Sequence, residues 1–128
     1  IFFKKIMKKK ILYLINDLPF FVSHRLPIAE EAQKKGFLIN ILTGKTASQK
    51  MKLNVEKKYL SSFFNTKELK FESSSVNILK NISFLIQILK NFSIIKPDIV
   101  HLVSLKPIIL GGLACRFLKI KYIVISFS

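Results

Sequence analysis

Three consecutive polar residues with different chemistry follow a pair of phenylalanines in residues 20–25, which read FFVSHR. Ser23 offers a hydroxyl, His24 a ring that titrates near neutral pH, and Arg25 a planar cation that can hold an anion through two hydrogen bonds. Phe21 adds an apolar wall beside them. These residue types suit a phosphate or a sugar, but they also suit a helix cap followed by solvated charges. Both interpretations stay open at this point.

A second candidate group stands in residues 98–107, which read DIVHLVSLKP. His101 lies inside an apolar stretch, and Ser104 and Lys106 follow at its carboxyl end. A histidine in such a stretch is more often a hydrogen-bonded core residue than a catalyst, so both roles are kept for His101. Lys106 precedes a proline that favours a helix start, where a cation could contact a phosphate or sugar. The alternative for Lys106 is a solvated loop lysine.

The sequence lacks the residue patterns that several common enzyme and binding functions require. Neither G-x-G-x-x-G nor G-x-x-x-x-G-K-[ST] occurs, so nicotinamide binding and ATP hydrolysis are not expected. Two histidines and one cysteine make no metal-ligand cluster, and we expect neither a metal nor a cofactor. The single cysteine, Cys115, is expected to be a small core residue. No uninterrupted apolar run reaches the roughly 18 residues that a membrane span needs.

The composition predicts one folded domain with a basic surface. The chain has 128 residues, 50% of them hydrophobic, and 22 Lys and Arg against 7 Asp and Glu give a net charge of +15. Only Arg25 and Arg116 are arginines, and lysine lacks the planar fork that base readers use, so nucleic acid is not an expected partner. The positive field still favours an anionic membrane surface. Residues 1–6 are expected to be a leader outside the fold, and residues 7–128 one domain.

Apolar periodicity predicts strands that alternate with helices. Strands are predicted over residues 11–16, 37–43, 69–72, 98–103 and 122–126. Helices are predicted over residues 23–35, between Asn77 and Pro97, and over residues 107–118. The predicted apolar face of the second helix comprises Ile78, Ile82, Leu85, Ile86, Leu89 and Phe92 or Ser93. Gly111, Gly112 and Ala114 should let the last helix approach the sheet closely. Residues 45–68 are expected to hold one short helix between two loops.

This alternation predicts an α/β fold: a Rossmann-like, mostly parallel sheet with helices on both faces. Ligands of such sheets bind beyond the carboxyl ends of the strands, where the strand order reverses. The loops after the first and fourth strands, residues 17–23 and 104–106, are therefore expected to converge on one rim. Ser23, His24, Arg25 and Lys106 would then present their polar side chains to a common anionic guest.

Two motifs resemble a known family. The segments FFVSHRLPIAEEAQKKGF and KPDIVHLVSLKPIILGGLACRFLKIKYIVISFS are similar to the N-terminal domain of bacterial family 4 glycosyltransferases, the GT-B enzymes that build surface polysaccharide or lipid-linked oligosaccharide. The resemblance covers residues 8–44 and 95–128, and the two motifs keep their order and spacing. Residues 45–77 depart from the family pattern, because the loop before the long helix reads SSSVN where an arginine is usual.

The resemblance implies a fold, an activity and a set of roles. The chain would be the N-terminal half of a GT-B fold and would bind a saccharide or polyprenyl-diphosphate-linked acceptor. A C-terminal domain that this chain lacks would hold most of the donor, a nucleotide-sugar and in particular a UDP-sugar. Transfer would retain anomeric configuration without a metal, on the cytoplasmic side of the cell membrane, and this fragment alone would be inactive. The implied substrate-binding residues are Phe21, Ser23, His24, Arg25 and Lys106. His101 and Ser104 would act at the catalytic site by orienting or polarising the acceptor.

Two other functions stay open. The chain could be a non-catalytic membrane-surface or adaptor half of a two-chain transferase. Its basic and aromatic patch would then comprise Lys57, Lys58, Tyr59, Leu60, Phe63 and Phe64. The same patch could instead pack its apolar residues inward. The remaining function is that of an unrelated doubly wound domain that binds a small anion.

Overall fold

Five parallel strands and the helices between them form the domain in the computed structural model, which describes residues 9–15, 26–44, 64–69 and 78–126. The strands are β1 (Lys10–Ile15), β2 (Leu38–Thr43), β3 (Asn65–Glu68), β4 (Ile99–Val103) and β5 (Tyr122–Ser126). The helices are α1 (Leu26–Lys34), α2 (Ile78–Ile95), and a π-helical segment (Pro107–Gly111) that continues directly into α3 (Gly112–Leu118). The predicted alternation of strands and helices is confirmed.

The sheet has the order β3-β2-β1-β4-β5, and every pair of neighbouring strands is parallel. The chain moves outward from β1 to β3 on one side, then crosses back and places β4 beside β1. In the shared register, Ile11 pairs with Ile39 of β2 and with Ile99 of β4. The strand order therefore reverses between β1 and β4, which is the topology of a Rossmann-like sheet.

The strands β1, β2, β4 and β5 lie within one residue of their predicted bounds, but the prediction for the third strand was wrong. A strand lies at Asn65–Glu68, within the stretch predicted to hold a short helix and two loops, and the backbone N–H of Leu69 donates to the carbonyl of Thr43 at 2.7 Å just beyond its end. Of the predicted strand, Leu69 is not part of a strand and residues 70–72 lie outside the described residues. The strand contains only Asn, Thr, Lys and Glu and is largely exposed at the sheet edge. An edge strand needs few apolar residues, so it carries little of the apolar signal on which the prediction relied.

Each face of the sheet has its own core. On the first face, Tyr13, Ile15 and Ile41 are buried together with Ala29 of α1. On the second face, Leu12, Leu14 and Leu102 are buried with the inner sides of α2 and α3. Strands covered on both faces read as continuous apolar runs, which explains the sequences ILYLI and IVHLV. Phe64 is buried in the first core, so it cannot belong to an exposed membrane patch; residues 57–63 lie outside the described residues.

The buried face of α2 differs from the predicted one. Phe84, Ile88, Asn91 and Phe92 are its buried residues. Of the predicted face, Phe92 is buried and Leu85 and Leu89 pack partly against the core, but Ile78, Ile82 and Ile86 are exposed. Apolar residues cover more than one side of this helix, so periodicity alone could not determine which side contacts the sheet. Among the described residues, α2 is also the one helix long and apolar enough to cross a membrane, with a mean hydropathy of 1.3.

The helix after β4 lies close to the sheet at one glycine. A Cβ at Gly111 would lie 2.5 Å from Cδ2 of Leu102 and 2.8 Å from Cδ2 of Leu14, whereas a Cβ at Gly112 would meet nothing within 4 Å. Ala114 is fully buried. The predicted close approach is therefore confirmed at Gly111 and Ala114, and Gly112 plays no part in it.

Candidate functional site

The carboxyl ends of β1 and β4 form the rim on which the two predicted loops were expected to converge. These strands are direct neighbours, and they end at Ile15 and Val103. The backbone N–H of Gly44, which follows β2, donates to the carbonyl of Ile15 at 3.3 Å. Because the strand order reverses here, this rim is where an α/β sheet leaves a crevice for a ligand.

Ser104 is the first residue on this rim after β4. Its φ angle of 75° lies in the left-handed region, which a serine rarely adopts. Two backbone hydrogen bonds hold it: its N–H donates to the carbonyl of Ser126 at 3.0 Å, and its own carbonyl accepts from Ile108 at 3.0 Å. Unusual backbone conformations of this kind occur preferentially at functional sites. Ser104 thus joins β4, β5 and the following helix at a fixed turn.

Lys106 lies two residues further along the same turn. It is half-buried and stands immediately before the π-helical segment, with helical backbone angles of −62° and −48°. The amino end of a helical segment carries positive partial charge, so the backbone and this lysine together give the rim a positive character. The structure therefore brings Ser104 and Lys106 to the same rim as the end of β1. Residues 17–23 lie outside the described residues, so the convergence of the two loops stays a prediction.

His101 lies within β4, two residues before the strand ends. Its side chain is 8% exposed, its Nε2 lies 2.6 Å from Oγ of Ser126 in a hydrogen bond, and its ring centroid lies 5.0 Å from that of Tyr13. The ring is thus tied to β5 on one side and stacked toward β1 on the other. This arrangement suits a residue that holds the strand ends in place. Ser126 was missed by sequence reasoning, although the parallel pairing of Val103 with Ser126 places it near His101.

Four of the predicted substrate-binding residues, Phe21, Ser23, His24 and Arg25, lie outside the described residues. The described chain leaves β1 at Ile15 and resumes at Leu26, where α1 begins. The roles assigned to these four residues therefore stay predictions.

A large cleft opens at the opposite edge of the sheet, before the strands begin. Its volume is about 740 Å³. Its charged lining residues are Lys9, Lys96, Asp98, Lys119 and Lys121. The carboxyl ends of α2 and α3 lie at this edge, and helix carboxyl ends carry negative partial charge that lysines offset. Lys10 does so directly, since its Nζ donates to the carbonyl of Ile95 at 2.9 Å. Lys10 thus has a structural role beside the cleft, and the helix carboxyl ends make this edge a less favourable setting for an anion than the rim between β1 and β4.

The described residues offer no alternative reactive centre. Within them, no group of three or more His, Cys, Asp or Glu side chains could hold a metal ion. Cys115 is fully buried, as predicted, and burial raises the pKa of its thiol to about 11. A thiol with that pKa stays protonated at neutral pH and is a poor nucleophile.

Comparisons with solved structures support the fold. MurG from Acinetobacter baumannii has a TM-score of 0.70 at 18% identity, and the match covers 93% of this chain and 34% of that one. UDP-GlcNAc 2-epimerase from Neisseria meningitidis, bound to UDP-GlcNAc, has a TM-score of 0.66 at 14% identity and covers 92% and 31%. MnaA from S. aureus, solved with UDP, has a TM-score of 0.63 at 20% identity and covers 94% and 30%. The chain spans about a third of the length of these proteins.

The sequence comparison identifies the family. No curated protein is a significant match to the sequence. The family described as glycosyl transferase 4-like, however, matches residues 10–128, which is nearly the whole chain. The Rossmann-like sheet and the GT-B neighbours agree with that match. We conclude that this chain belongs to the glycosyl transferase 4-like family.

Proposed function

We propose that this domain binds the acceptor for a glycosyltransferase that moves a sugar from a UDP-sugar to a saccharide or polyprenyl-diphosphate-linked acceptor. The product would serve cell-surface polysaccharide synthesis, and the protein would work on the cytoplasmic side of the cell membrane. The observation that carries this proposal is the rim between β1 and β4. This rim brings together Ser104 with its left-handed backbone, the half-buried Lys106 and the start of a helical segment. The chain that carries it belongs to a glycosyltransferase family.

The choice of donor rests on two of the structural neighbours. The Neisseria epimerase is bound to UDP-GlcNAc, and the S. aureus protein was solved with UDP. Because this chain spans about a third of the length of either protein, we assign most of the donor site to a second domain outside residues 1–128. Retention of anomeric configuration and independence from metal are part of the proposal, since the family resemblance implies both.

The proposed chemical role of this domain is positional. Its rim would hold an acceptor hydroxyl against the anomeric carbon of the donor and would exclude water from the reaction. Lys106, together with Arg25 from the segment between β1 and α1, would offset the phosphate charge of the substrate. Ser104 would orient the acceptor, and His101 would act through Ser126 to fix the position of the strand ends. The domain without a donor-binding half is expected to transfer no appreciable sugar.

The test is a sugar-transfer assay on the natural protein with a panel of UDP-sugars and a polyprenyl-diphosphate-linked saccharide. Replacing Lys106 by Ala should lower kcat/KM by about 10- to 100-fold, because a charge-assisted contact to phosphate is lost. Lys34→Ala is the matched control, since Lys34 is an exposed lysine in the last turn of α1. Equal activity of the two variants, at equal thermal stability, would overturn the role of Lys106 in the rim.

A second candidate function, an adaptor half of a two-chain transferase, is favoured by the surface of β5. Ile123, Val124 and Ile125 are 41–52% exposed, although strands of all-parallel sheets are normally covered on both faces. Their side chains alternate between the two faces, so a further apolar layer fits on each. Genomic sequence separates the two candidates. A reading frame that continues into a second Rossmann-like half supports a single-chain glycosyltransferase. A stop codon beside a gene for a donor-binding half supports the adaptor half of a two-chain transferase.

A further inference from the structure

Two buried asparagines, one on β2 and one on α2, line a cavity under the last turns of α2. Asn91 is the one polar residue among the four buried residues of α2, and it is 6% exposed. Asn40 of β2 is 8% exposed and pairs with Leu12 of β1 in the sheet register. Because Leu12 belongs to the second core, the register puts Asn40 on the face of the sheet that α2 covers. The cavity that both asparagines line has a volume of about 410 Å³.

The side-chain amides of these asparagines have unused hydrogen-bonding capacity. Nδ2 of Asn91 donates to the carbonyl of Gln87 at 2.7 Å, one turn earlier in the same helix. Within the part of the chain that the structure describes, Oδ1 of Asn91 accepts no hydrogen bond, and the side-chain amide of Asn40 makes none. Buried amides normally have partners, and leaving them without partners costs free energy. The cavity gives room for a small ligand that would complete these hydrogen bonds.

The rest of the described lining is uncharged apart from one lysine. Leu42 and Ile95 provide apolar walls, while Asn65 and Lys67 of β3 stand exposed at the open side. Ile95 is the last residue of α2, and the carboxyl end of a helix carries negative partial charge. A phosphate or another anion is therefore disfavoured here, and a neutral ligand fits better.

The chemistry of the amides favours a sugar as that neutral ligand. An amide both donates and accepts hydrogen bonds, and so does each hydroxyl of a sugar, whose C–H groups can pack against the apolar walls. Amides also match the edge of a nucleobase, but a base is commonly held by stacking on an aromatic ring. Phe64, the aromatic residue of the described lining, is 3% exposed and packs in the first core, so it offers no free ring face.

We propose that this cavity, which we call the asparagine cavity, binds a neutral saccharide of one or two rings. The site is separate from the rim between β1 and β4. It lies between α2 and the strands β2 and β3, and Asn40 stands about 10 Å before the carboxyl end of β2. The inference goes beyond the proposed function and does not depend on it, because the asparagine cavity would hold a saccharide without taking part in sugar transfer.

The experiment is NMR titration of the isotopically labelled protein with three neutral disaccharides: cellobiose, maltose and N,N′-diacetylchitobiose. At least one of them should shift the backbone amides of Asn40, Asn65 and Asn91. Asn91→Leu should weaken this binding at least tenfold, because leucine has a similar volume but forms no hydrogen bond. The matched control is Asn81→Leu, the same substitution ten residues earlier on α2 and outside the cavity lining, which should leave binding unchanged.

Asn65→Ala is the second variant, since Asn65 is exposed and its loss should leave the fold intact; it should weaken binding about threefold. Absence of shifts at the cavity with all three disaccharides would overturn the proposal. Equal binding by Asn91→Leu and Asn81→Leu, at equal thermal stability, would overturn it too. Uridine binding in the cavity in place of the disaccharides would assign the site to a nucleobase. Shifts confined to Ser104 and Lys106 would support the rim as a sugar site and overturn this second site.

Discussion

At the scale of single residues, the hydrogen bond between His101 and Ser126 joins the two strands nearest the end of the described chain. Both ring nitrogens of a histidine need partners when the ring is buried, and Ser126 serves Nε2 at 2.6 Å. Ser126 also accepts, through its carbonyl, the N–H of the left-handed Ser104. The geometry of the rim therefore depends on Ser126, a residue outside both candidate groups, residues 20–25 and 98–107.

Replacing Ser126 by Ala should lower the free energy of unfolding by about 1–3 kcal/mol, since it leaves a buried ring nitrogen without its partner. Chemical denaturation measures this difference. Ser93→Ala is the matched control: the Ser93 hydroxyl is exposed and donates to Leu89 within the same helix, so its loss should change stability by less than about 0.5 kcal/mol. Equal effects of the two substitutions would show that the His101 pair does not hold the strands.

Cys115 gives a second prediction at this scale. Because burial raises the pKa of the thiol to about 11 from a usual value of 9.0, the thiol should not react with a disulfide reagent near pH 8 until the protein is unfolded. Between pH 9 and 11 the unfolded thiol ionises while the folded one does not, so rising pH should destabilise the fold across this window. Cys115→Ala should remove that part of the pH dependence. Rapid labelling of the native protein would contradict the buried position.

At the scale of the elements, the helix after β4 lies close to the sheet at Gly111 and Ala114, and of its two adjacent glycines only Gly111 faces the sheet. Gly111→Ala would place a methyl group against the fully buried side chains of Leu14 and Leu102, whereas Gly112→Ala would enter open space. We expect Gly112→Ala to be neutral or to stabilise the protein by up to about 1 kcal/mol, because alanine favours a helix. Gly111→Ala should destabilise it by about 1–3 kcal/mol through overpacking. Thermal denaturation measures the stability of the two variants at adjacent positions. A Gly112→Ala variant less stable than Gly111→Ala would contradict this packing.

The elements also show how far the sequence alone reaches. Strands such as β1 and β4 are buried on both faces, so their apolar runs mark them directly and their bounds were predicted to within a residue. The edge strand β3 is exposed and polar, and its position depends on pairing with β2, which no local pattern encodes. The same limit applied to α2. Its second apolar side serves the outer surface instead of the core, so periodicity could not separate the two roles.

For the candidate site, sequence reasoning placed Ser104 and Lys106 just after the carboxyl end of β4, where the structure has them, because a strand end followed by a proline-initiated helix fixes both positions. It could not identify Ser126, which is 25 residues from His101 in sequence and comes near it only through the register of β4 and β5. It also could not anticipate the left-handed backbone of Ser104, since a serine carries no signal for that conformation.

At the scale of the whole molecule, two edges of the sheet compete for the role of the ligand site. The amino edge has a cleft of about 740 Å³ and several lysines, but helix carboxyl ends lie there. The carboxyl edge has the reversal of strand order, the turn at Ser104 and the start of a helical segment. The direction of the helix dipoles favours the carboxyl edge for a phosphate-bearing substrate.

The most direct test is NMR titration of the isotopically labelled protein with a short-chain prenyl diphosphate. We predict chemical-shift changes at the backbone amides of Gly44, Ser104 and Lys106, at the carboxyl edge of the sheet, and their loss in Lys106→Ala. Changes confined to the amides of Lys96, Lys119 and Lys121, at the amino edge, would contradict the account and would move the site to the opposite cleft.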